Sequence, residues 1–112
     1  MRSLADRIAP ILLVNEVRTV RADDLWLSSS YGTDAVALHF TWKNDEPAIR
    51  ALLPDLEAAL PASTRPHWGK VYTLDGAEVR SRYPRWNDFA ELRAQFDPER
   101  RFVNEYLQRL GL

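Results

Sequence analysis

The residues of this 112-residue chain that could bind or polarise a small ligand fall into three groups. The first group is Glu16 and Arg18, two residues apart in an apolar, β-branched segment. Side chains at i and i+2 of a strand project from the same face. A carboxylate acceptor and a guanidinium donor would therefore lie side by side. The pattern fits an exposed ion pair worth ~0–1 kcal/mol as well as a polar floor for a hydroxyl-rich ligand.

The second group is His39 and Thr41. They alternate with the apolar residues Leu38, Phe40 and Trp42, so they would occupy the opposite face of a strand. If this strand pairs with the strand that carries the first group, all four polar side chains would form one pocket floor. An ordinary outer sheet face is the alternative interpretation.

The third group is the segment 66–70, Pro-His-Trp-Gly-Lys, which places an imidazole, an indole, a flexible glycine and an ammonium group within a few residues. Loops held by a rigid scaffold often carry function. The alternative is structural, with Trp68 packed in the core and Lys70 solvated.

Composition excludes several other kinds of site. Fifteen Lys and Arg residues against sixteen Asp and Glu residues give a net charge of -1, which argues against a nucleic-acid partner and a polybasic membrane anchor. The chain has no cysteine and only two histidines, so we expect no thiol chemistry and no metal site. The sequence has no Gly-rich phosphate loop and no GxSxG or HExxH motif.

Two strands, over residues 11–20 and 35–42, are predicted to position the first two groups. A short helix over 3–9 would precede them, and residues 25–27 would form a short strand or a packed loop. Asp45 is a good N-cap for a helix that runs to about Leu60. Pro54 lies inside this helix, so we expect a kink or a break into two short helices.

The third group is predicted to lie in a loop that leads into a short strand over 70–73. Asp75 and Glu78 have the spacing of a capping box for a short helix before Pro84. Two amphipathic helices would follow, one over 86–96 and one that begins directly after Asp97-Pro98. The expected fold is a single α+β domain over residues 1–112, a small antiparallel sheet covered on one face by several helices.

The order of these segments resembles the C-terminal region of the D-arabinono-1,4-lactone oxidase and alditol (xylitol) oxidase family, flavoenzymes of the vanillyl-alcohol oxidase type. The most specific matching motifs are Pro66-His67-Trp68-Gly69-Lys70 and the closing pattern from Asp97-Pro98 to Phe102-Val103-Asn104-Glu105-Tyr106-Leu107. Further matches in family order are Glu16-Val17-Arg18, Asp23-Asp24-Leu25-Trp26-Leu27-Ser28, Tyr31-Gly32, His39-Phe40-Thr41-Trp42, Arg65, Tyr83-Pro84 and Phe89.

The resemblance implies an FAD-dependent oxidation of a CH–OH group in a polyol or sugar lactone, with hydride transfer to flavin N5 and peroxide formed from oxygen. It places Glu16, Arg18, Thr41 and Lys70 on the substrate side of the flavin. Arg18 and Lys70 would be the catalytic cations, stabilising charge at the reacting hydroxyl, and Glu16 and Thr41 would orient the substrate. His67 would lie near the flavin or support Lys70.

Family members carry an N-terminal flavin-binding domain, which these 112 residues do not contain. We therefore expect the chain to be inactive alone and to need an FAD-binding domain in cis or in trans. The alternative is a non-enzymatic binding or interaction module that keeps the fold. We also expect a cytoplasmic location, no membrane span and self-association through apolar surface exposed where a neighbouring domain would pack.

Overall fold

A computed structural model describes residues 2–112. These residues form a two-stranded antiparallel sheet and five α-helices, which confirms the α+β class. After a 3-10 turn at Arg2–Leu4, the elements are α1 (Ala5–Ile8), β1 (Leu12–Val20), β2 (Ala35–Trp42), α2 (Glu46–Ala58), α3 (Gly76–Ser81), α4 (Trp86–Phe96) and α5 (Glu105–Leu110).

The two strands form a ribbon whose register sorts their side chains onto two faces. Glu16 pairs with His39, and Val17 pairs with Leu38. A bulge between Leu12 and Val14 interrupts the ladder, so the regular part of β1 begins at Val14. Directly paired residues share a face, and the alternating pattern predicted for both strands is therefore confirmed.

Helix α2 covers one end of the ribbon. Asp45 caps it by accepting a hydrogen bond from the Ala48 amide, as predicted. Of the kink or break expected at Pro54, the break into two helices is wrong, because one helix runs from Glu46 to Ala58. Pro54 lies on the exposed side, and buried leucines on both sides of it hold adjacent turns against the same core. This core, the α2 cluster, consists of Ile11, Ile49, Leu52, Leu53 and Leu56, with Phe40 and Trp42 packed against it.

A second core, the C-terminal cluster, lies among α3, α4, α5 and the chain end. Its buried residues are Val79, Tyr83, Trp86, Leu110 and Leu112. The capping box at Asp75 and Glu78 that opens α3 is confirmed, and α4 spans the predicted residues. The Arg65 guanidinium links this region to the β1–β2 connection by donating to the carbonyls of Arg82 and Ser28. That connection is made of turns, with one isolated bridge between Asp23 and Tyr31.

The strand predicted over 70–73 is wrong. The Thr73 amide donates to the Glu57 carboxylate of α2 at 2.8 Å, and its hydroxyl donates to the same carboxylate. A helix side chain thus supplies the partner that a neighbouring strand would have supplied.

The start predicted for the last helix is also wrong, because α5 begins at Glu105 and not directly after Asp97-Pro98. The Asp97 carboxylate accepts from the amides of Arg101 and Phe102 and closes a turn, and these bonds hold its pKa below the ordinary value. Arg100 has a positive φ of 55°, outside the right-handed helical region. Asn104 then caps α5 by accepting from the Leu107 amide.

The ribbon end away from α2 is open to solvent. Val17 and Val36, on its apolar face, are 65% and 63% exposed. The chain measures 48 × 30 × 19 Å with a radius of gyration of 15.9 Å, whereas a compact chain of this length would have about 13 Å. Among residues 2–112, every helix is too short or too polar to cross a bilayer.

Candidate functional site

The four polar side chains of the first two groups lie on one face of the ribbon, here called the polar face. Glu16 stands directly opposite His39, Arg18 opposite Ala37, and Thr41 opposite Val14. Because paired residues project to the same side and alternate residues follow them, the register brings Glu16, Arg18, His39 and Thr41 together as the alternation predicted.

Glu16 is the centre of the contacts on this face. The Arg18 guanidinium donates a hydrogen bond to Glu16 Oε2, and Nδ1 of His39 lies 3.4 Å from Glu16 Oε1. The hydrogen bond from Arg18, helped by His39, holds the pKa of the Glu16 carboxyl below its usual value despite partial desolvation. Glu16 is therefore a carboxylate at neutral pH, able only to accept hydrogen bonds.

Lys70 reaches the polar face from the loop. Its Nζ lies 3.3 Å from His39 Nε2. A proton on Nδ1, directed at the Glu16 carboxylate, leaves Nε2 free to accept from the Lys70 ammonium. The contacts thus run from Arg18 through Glu16 and His39 to Lys70. The resemblance gave His39 no role, although its alternation with the apolar stripe had placed it on this face.

Trp68 anchors the loop that carries Lys70. The indole N–H of Trp68 donates to the Tyr83 hydroxyl at 3.0 Å, and the two rings meet edge to face. The Lys70 amide donates to the His67 carbonyl and closes a turn. The structural interpretation of Trp68 is confirmed, while Lys70 is exposed yet directed at His39.

Two predicted site residues stand outside the run of contacts. Thr41 shares the polar face, but its hydroxyl makes no hydrogen bond to any part of the chain that the structure describes. His67 is exposed, and its Nδ1 accepts from the Gly69 amide at 3.1 Å. This hydrogen bond lies within the loop and does not join the His67 ring to the polar face.

A cavity of about 360 Å³ opens beside Lys70 and His39. It lies between β2, α2 and the segment 60–74, and most of its wall is apolar. The apolar lining is Leu38, Phe40, Trp42, Leu53, Leu56, Leu60, Pro66, Val71 and Leu74. An apolar ligand part could be held here, next to the polar groups.

Comparison with known proteins shows similarity along nearly the whole chain. The model of the family described as D-arabinono-1,4-lactone oxidase matches residues 6–110. The chain is 48% identical to alditol oxidase from a Streptomyces species over 108 residues, 96% of this chain and 26% of that protein. It is 37% identical to L-gulono-1,4-lactone dehydrogenase of Mycobacterium tuberculosis, over 93% of this chain and 24% of that protein.

A third relative, long-chain alcohol oxidase from an uncultured marine euryarchaeote, is 36% identical over 80% of this chain and 20% of that protein. The chain thus spans about a quarter of the length of the curated relatives that it matches.

Proposed function

Because this chain belongs to the D-arabinono-1,4-lactone oxidase family, we propose that it forms the substrate side of an FAD-dependent oxidoreductase. The substrate would be an alditol or an aldonolactone, and the group oxidised would be one of its CH–OH groups. The observation that carries the proposal is the run of contacts from Arg18 through Glu16 and His39 to Lys70. It joins two strands and a distant loop into one polar surface.

Alcohol oxidation by hydride transfer requires that the hydroxyl lose its proton as the carbon loses hydride. FAD, when bound, supplies the hydride acceptor, and in an oxidase it passes the electrons to dioxygen and yields hydrogen peroxide. This chain must supply the proton acceptor and the groups that fix the hydroxyl.

His39 has the geometry of the proton acceptor. The Glu16 carboxylate orients the ring from the Nδ1 side, and Nε2 faces the ammonium of Lys70. A hydroxyl at this point would donate its proton to Nε2 and accept a hydrogen bond from Lys70, which stabilises the developing alkoxide charge.

The remaining polar groups bind and orient the substrate. Arg18 adds a second positive charge on the same face, while Glu16 and Thr41 offer oxygen atoms for the other hydroxyls of a polyol. Holding the reacting carbon in place lowers the entropic cost of the transition state.

On this proposal the described residues line one side of the flavin and leave the rest of the dinucleotide to another domain. An FAD-binding domain, in cis or in trans, would hold the cofactor, with His67 and Lys70 on the loop that faces it. On this proposal the chain alone is inactive.

A second substrate class is favoured by the cavity beside Lys70. Its apolar wall and volume of about 360 Å³ suit an alkyl chain attached to the reacting alcohol, since ligand pockets are mostly apolar with a few directed polar groups. Long-chain primary alcohols are therefore the competing candidates to polyols.

Reconstitution tests the proposal. The chain is mixed with the separately produced flavin domain of the Streptomyces alditol oxidase, and bound flavin absorbance and peroxide formation are measured with xylitol and with a long-chain alcohol. We expect a yellow complex that forms peroxide, and no peroxide from the chain with free FAD. The Lys70→Ala variant should retain bound flavin, and its turnover should fall by a factor of about 10²–10³.

Lys43→Ala is the matched control, because the Lys43 ammonium donates to the Pro10 carbonyl and not to the polar face. Failure to form a yellow complex would favour the non-enzymatic module. Equal turnover in the Lys70 and Lys43 variants would overturn the assigned role of Lys70.

A further inference from the structure

Arg65 lies at the start of the loop that carries Lys70, and its guanidinium is shared between two other parts of the fold. Its Nε donates to the carbonyl of Arg82, the C-terminal cap of α3, at 2.8 Å. Its Nη1 donates to the carbonyl of Ser28 at 3.0 Å and to that of Tyr31 at 3.3 Å. One side chain thus ties the loop both to α3 and to the β1–β2 connection.

The attachment of the loop to α3 is reciprocal. The Arg82 guanidinium donates in turn to the Thr64 carbonyl. The Arg65 guanidinium also lies over the ring of Tyr83, 5.2 Å from Cζ to the ring centroid, which is within the range of a cation–π contact. The hydroxyl of the same tyrosine accepts from the indole of Trp68. The first half of the loop is therefore held through its backbone and through two side chains.

The attachment to the β1–β2 connection reaches toward β2. Tyr31 lies shortly before Ala35, where β2 begins. The connection is itself ordered, because the Asp23 carboxylate accepts from the hydroxyls of Ser28 and Ser30. Hydrogen bonds to carbonyls of this connection therefore fix the loop relative to the strand that follows it.

The contact between Lys70 and His39 needs such a fixed relation, because one residue lies on the loop and the other on β2. A lysine side chain is a flexible stem that does not by itself hold its ammonium in place. The path from the anchor to Lys70 is short, and Pro66 and the bond from the Lys70 amide to the His67 carbonyl restrict it. We propose that Arg65 is a positioning residue, which places the Lys70 ammonium at His39 by fixing the loop relative to β2.

The geometry of these bonds explains why arginine suits this position. Nε and Nη1 of one rigid guanidinium donate to carbonyls of two different elements. Lysine carries the same charge on a single nitrogen and lacks the planar fork. The Arg65→Lys variant therefore keeps the charge and loses the simultaneous link to α3 and to the β1–β2 connection.

The kinetic consequence rests on the proposed function, in which Lys70 stabilises the developing alkoxide. A displacement of about 1 Å at a reacting group can cost about 10² in rate. In the reconstituted enzyme, Arg65→Lys should retain bound flavin and lower kcat by a factor of about 10–10². In the Lys70→Ala background the same change should lower kcat no further, because no ammonium remains to be placed. A general loss of folded protein would instead lower both enzymes by the same factor.

The position of Lys70 is measured in the chain without flavin, so this part of the test does not depend on the proposed function. We expect a nuclear Overhauser cross-peak between the side-chain protons of Lys70 and the ring protons of His39 in the wild type, and its loss in Arg65→Lys. Arg80→Lys is the matched control, because the Arg80 guanidinium donates to the Leu110 carbonyl and links α3 to α5. It should keep both the cross-peak and the wild-type kcat.

Circular dichroism verifies folding of each variant. Should Arg65→Lys fail to fold, Arg82→Met takes its place, because it removes the donor to the Thr64 carbonyl. We then expect a weaker cross-peak and a loss of kcat that is absent in the Lys70→Ala background.

A wild type without the cross-peak, or a cross-peak that is unchanged in the variant or equally lost in Arg80→Lys, would overturn the positioning role. So would a loss of kcat that multiplies with that of Lys70→Ala. A complex that forms no peroxide while the cross-peaks behave as expected would overturn the proposed function and leave the positioning role of Arg65 intact.

Discussion

One imidazole connects the two parts of the candidate site. His39 touches Glu16 on its own sheet and Lys70 on the loop, so its removal would separate a strand contact from a loop contact. A group that accepts a proton in the transition state contributes about 10²–10⁴ in rate. Removal of the His39 imidazole should therefore lower the turnover and leave the amount of bound flavin unchanged.

We predict that His39→Ala in the reconstituted enzyme lowers kcat by about 10²–10⁴ with bound flavin absorbance unchanged. His67→Ala should lower kcat less, because the His67 ring accepts its hydrogen bond from the Gly69 amide on its own loop. Steady-state kinetics of the two variants and the wild type measures the difference. Equal losses in the two variants would contradict the assignment.

The Glu16 carboxyl should titrate below its ordinary value of 4.5, because Arg18 donates a hydrogen bond to its charged form. Its proton is bound less tightly in the folded chain than in the unfolded chain. The pair therefore stabilises the fold above the ordinary pKa, and this stabilisation disappears as the pH falls through the folded-state pKa.

NMR titration of the Glu16 carboxyl carbon checks this prediction. Arg18→Ala should raise the midpoint toward the ordinary value. Arg50→Ala, which breaks the Arg50–Glu46 pair on α2, should leave the Glu16 midpoint unchanged. An identical midpoint in the wild type and Arg18→Ala would show that the hydrogen bond does not form in solution.

At the scale of elements, α2 shows how packing overrides a local signal. Pro54 removes one backbone hydrogen bond, but Leu53 and Leu56 beside it are buried at 5% and 4% exposure. Their burial holds both turns in one helix. The proline therefore lowers the stability of the helix without breaking it.

Pro54→Ala should raise the free energy of unfolding by up to ~3 kcal/mol, since alanine restores the donor at an exposed position. Pro47→Ala is the control, because Pro47 lies in the first turn of α2, where the amide has no helical partner. It should change stability little. Urea denaturation compares the two, and a destabilised Pro54 variant would mean that the proline ring makes a contact the fold needs.

Gly76 opens α3 against the backbone of α5. A methyl carbon added there would lie 2.0 Å from the Arg109 carbonyl oxygen. Gly76→Ala should therefore lower the free energy of unfolding by about 1–3 kcal/mol, although alanine is the better helix former. Ala77→Ser, at the next and exposed position, should change it by no more than about 0.5 kcal/mol. A stabilised Gly76 variant in thermal melts would contradict this close approach.

Local patterns predicted the elements with strong periodicity and missed those set by distant contacts. The alternation in β2 and the Asp75 cap depend on neighbouring residues, so sequence was enough. The segment 70–73 depends on the contact of Thr73 with Glu57, 16 residues away, and α5 begins late because Asp97 closes a turn. The contact of Lys70 with His39 likewise depends on a loop whose path is set by Trp68.

The whole molecule is long and thin, and its ribbon is covered at one end. A layer 19 Å thick holds little more than a sheet and one helix, so the apolar face near Val17 and Val36 needs a neighbour.

The α2 cluster and the C-terminal cluster share no buried residue. Hydrogen bonds from Thr73, in the segment before α3, to the Glu57 carboxylate of α2 link the two regions. If each cluster unfolds independently, each transition takes up only the unfolding enthalpy of that cluster. We therefore expect melting in two steps, with a calorimetric enthalpy larger than the van't Hoff enthalpy, and the isolated chain would behave as two folding units joined by a polar seam.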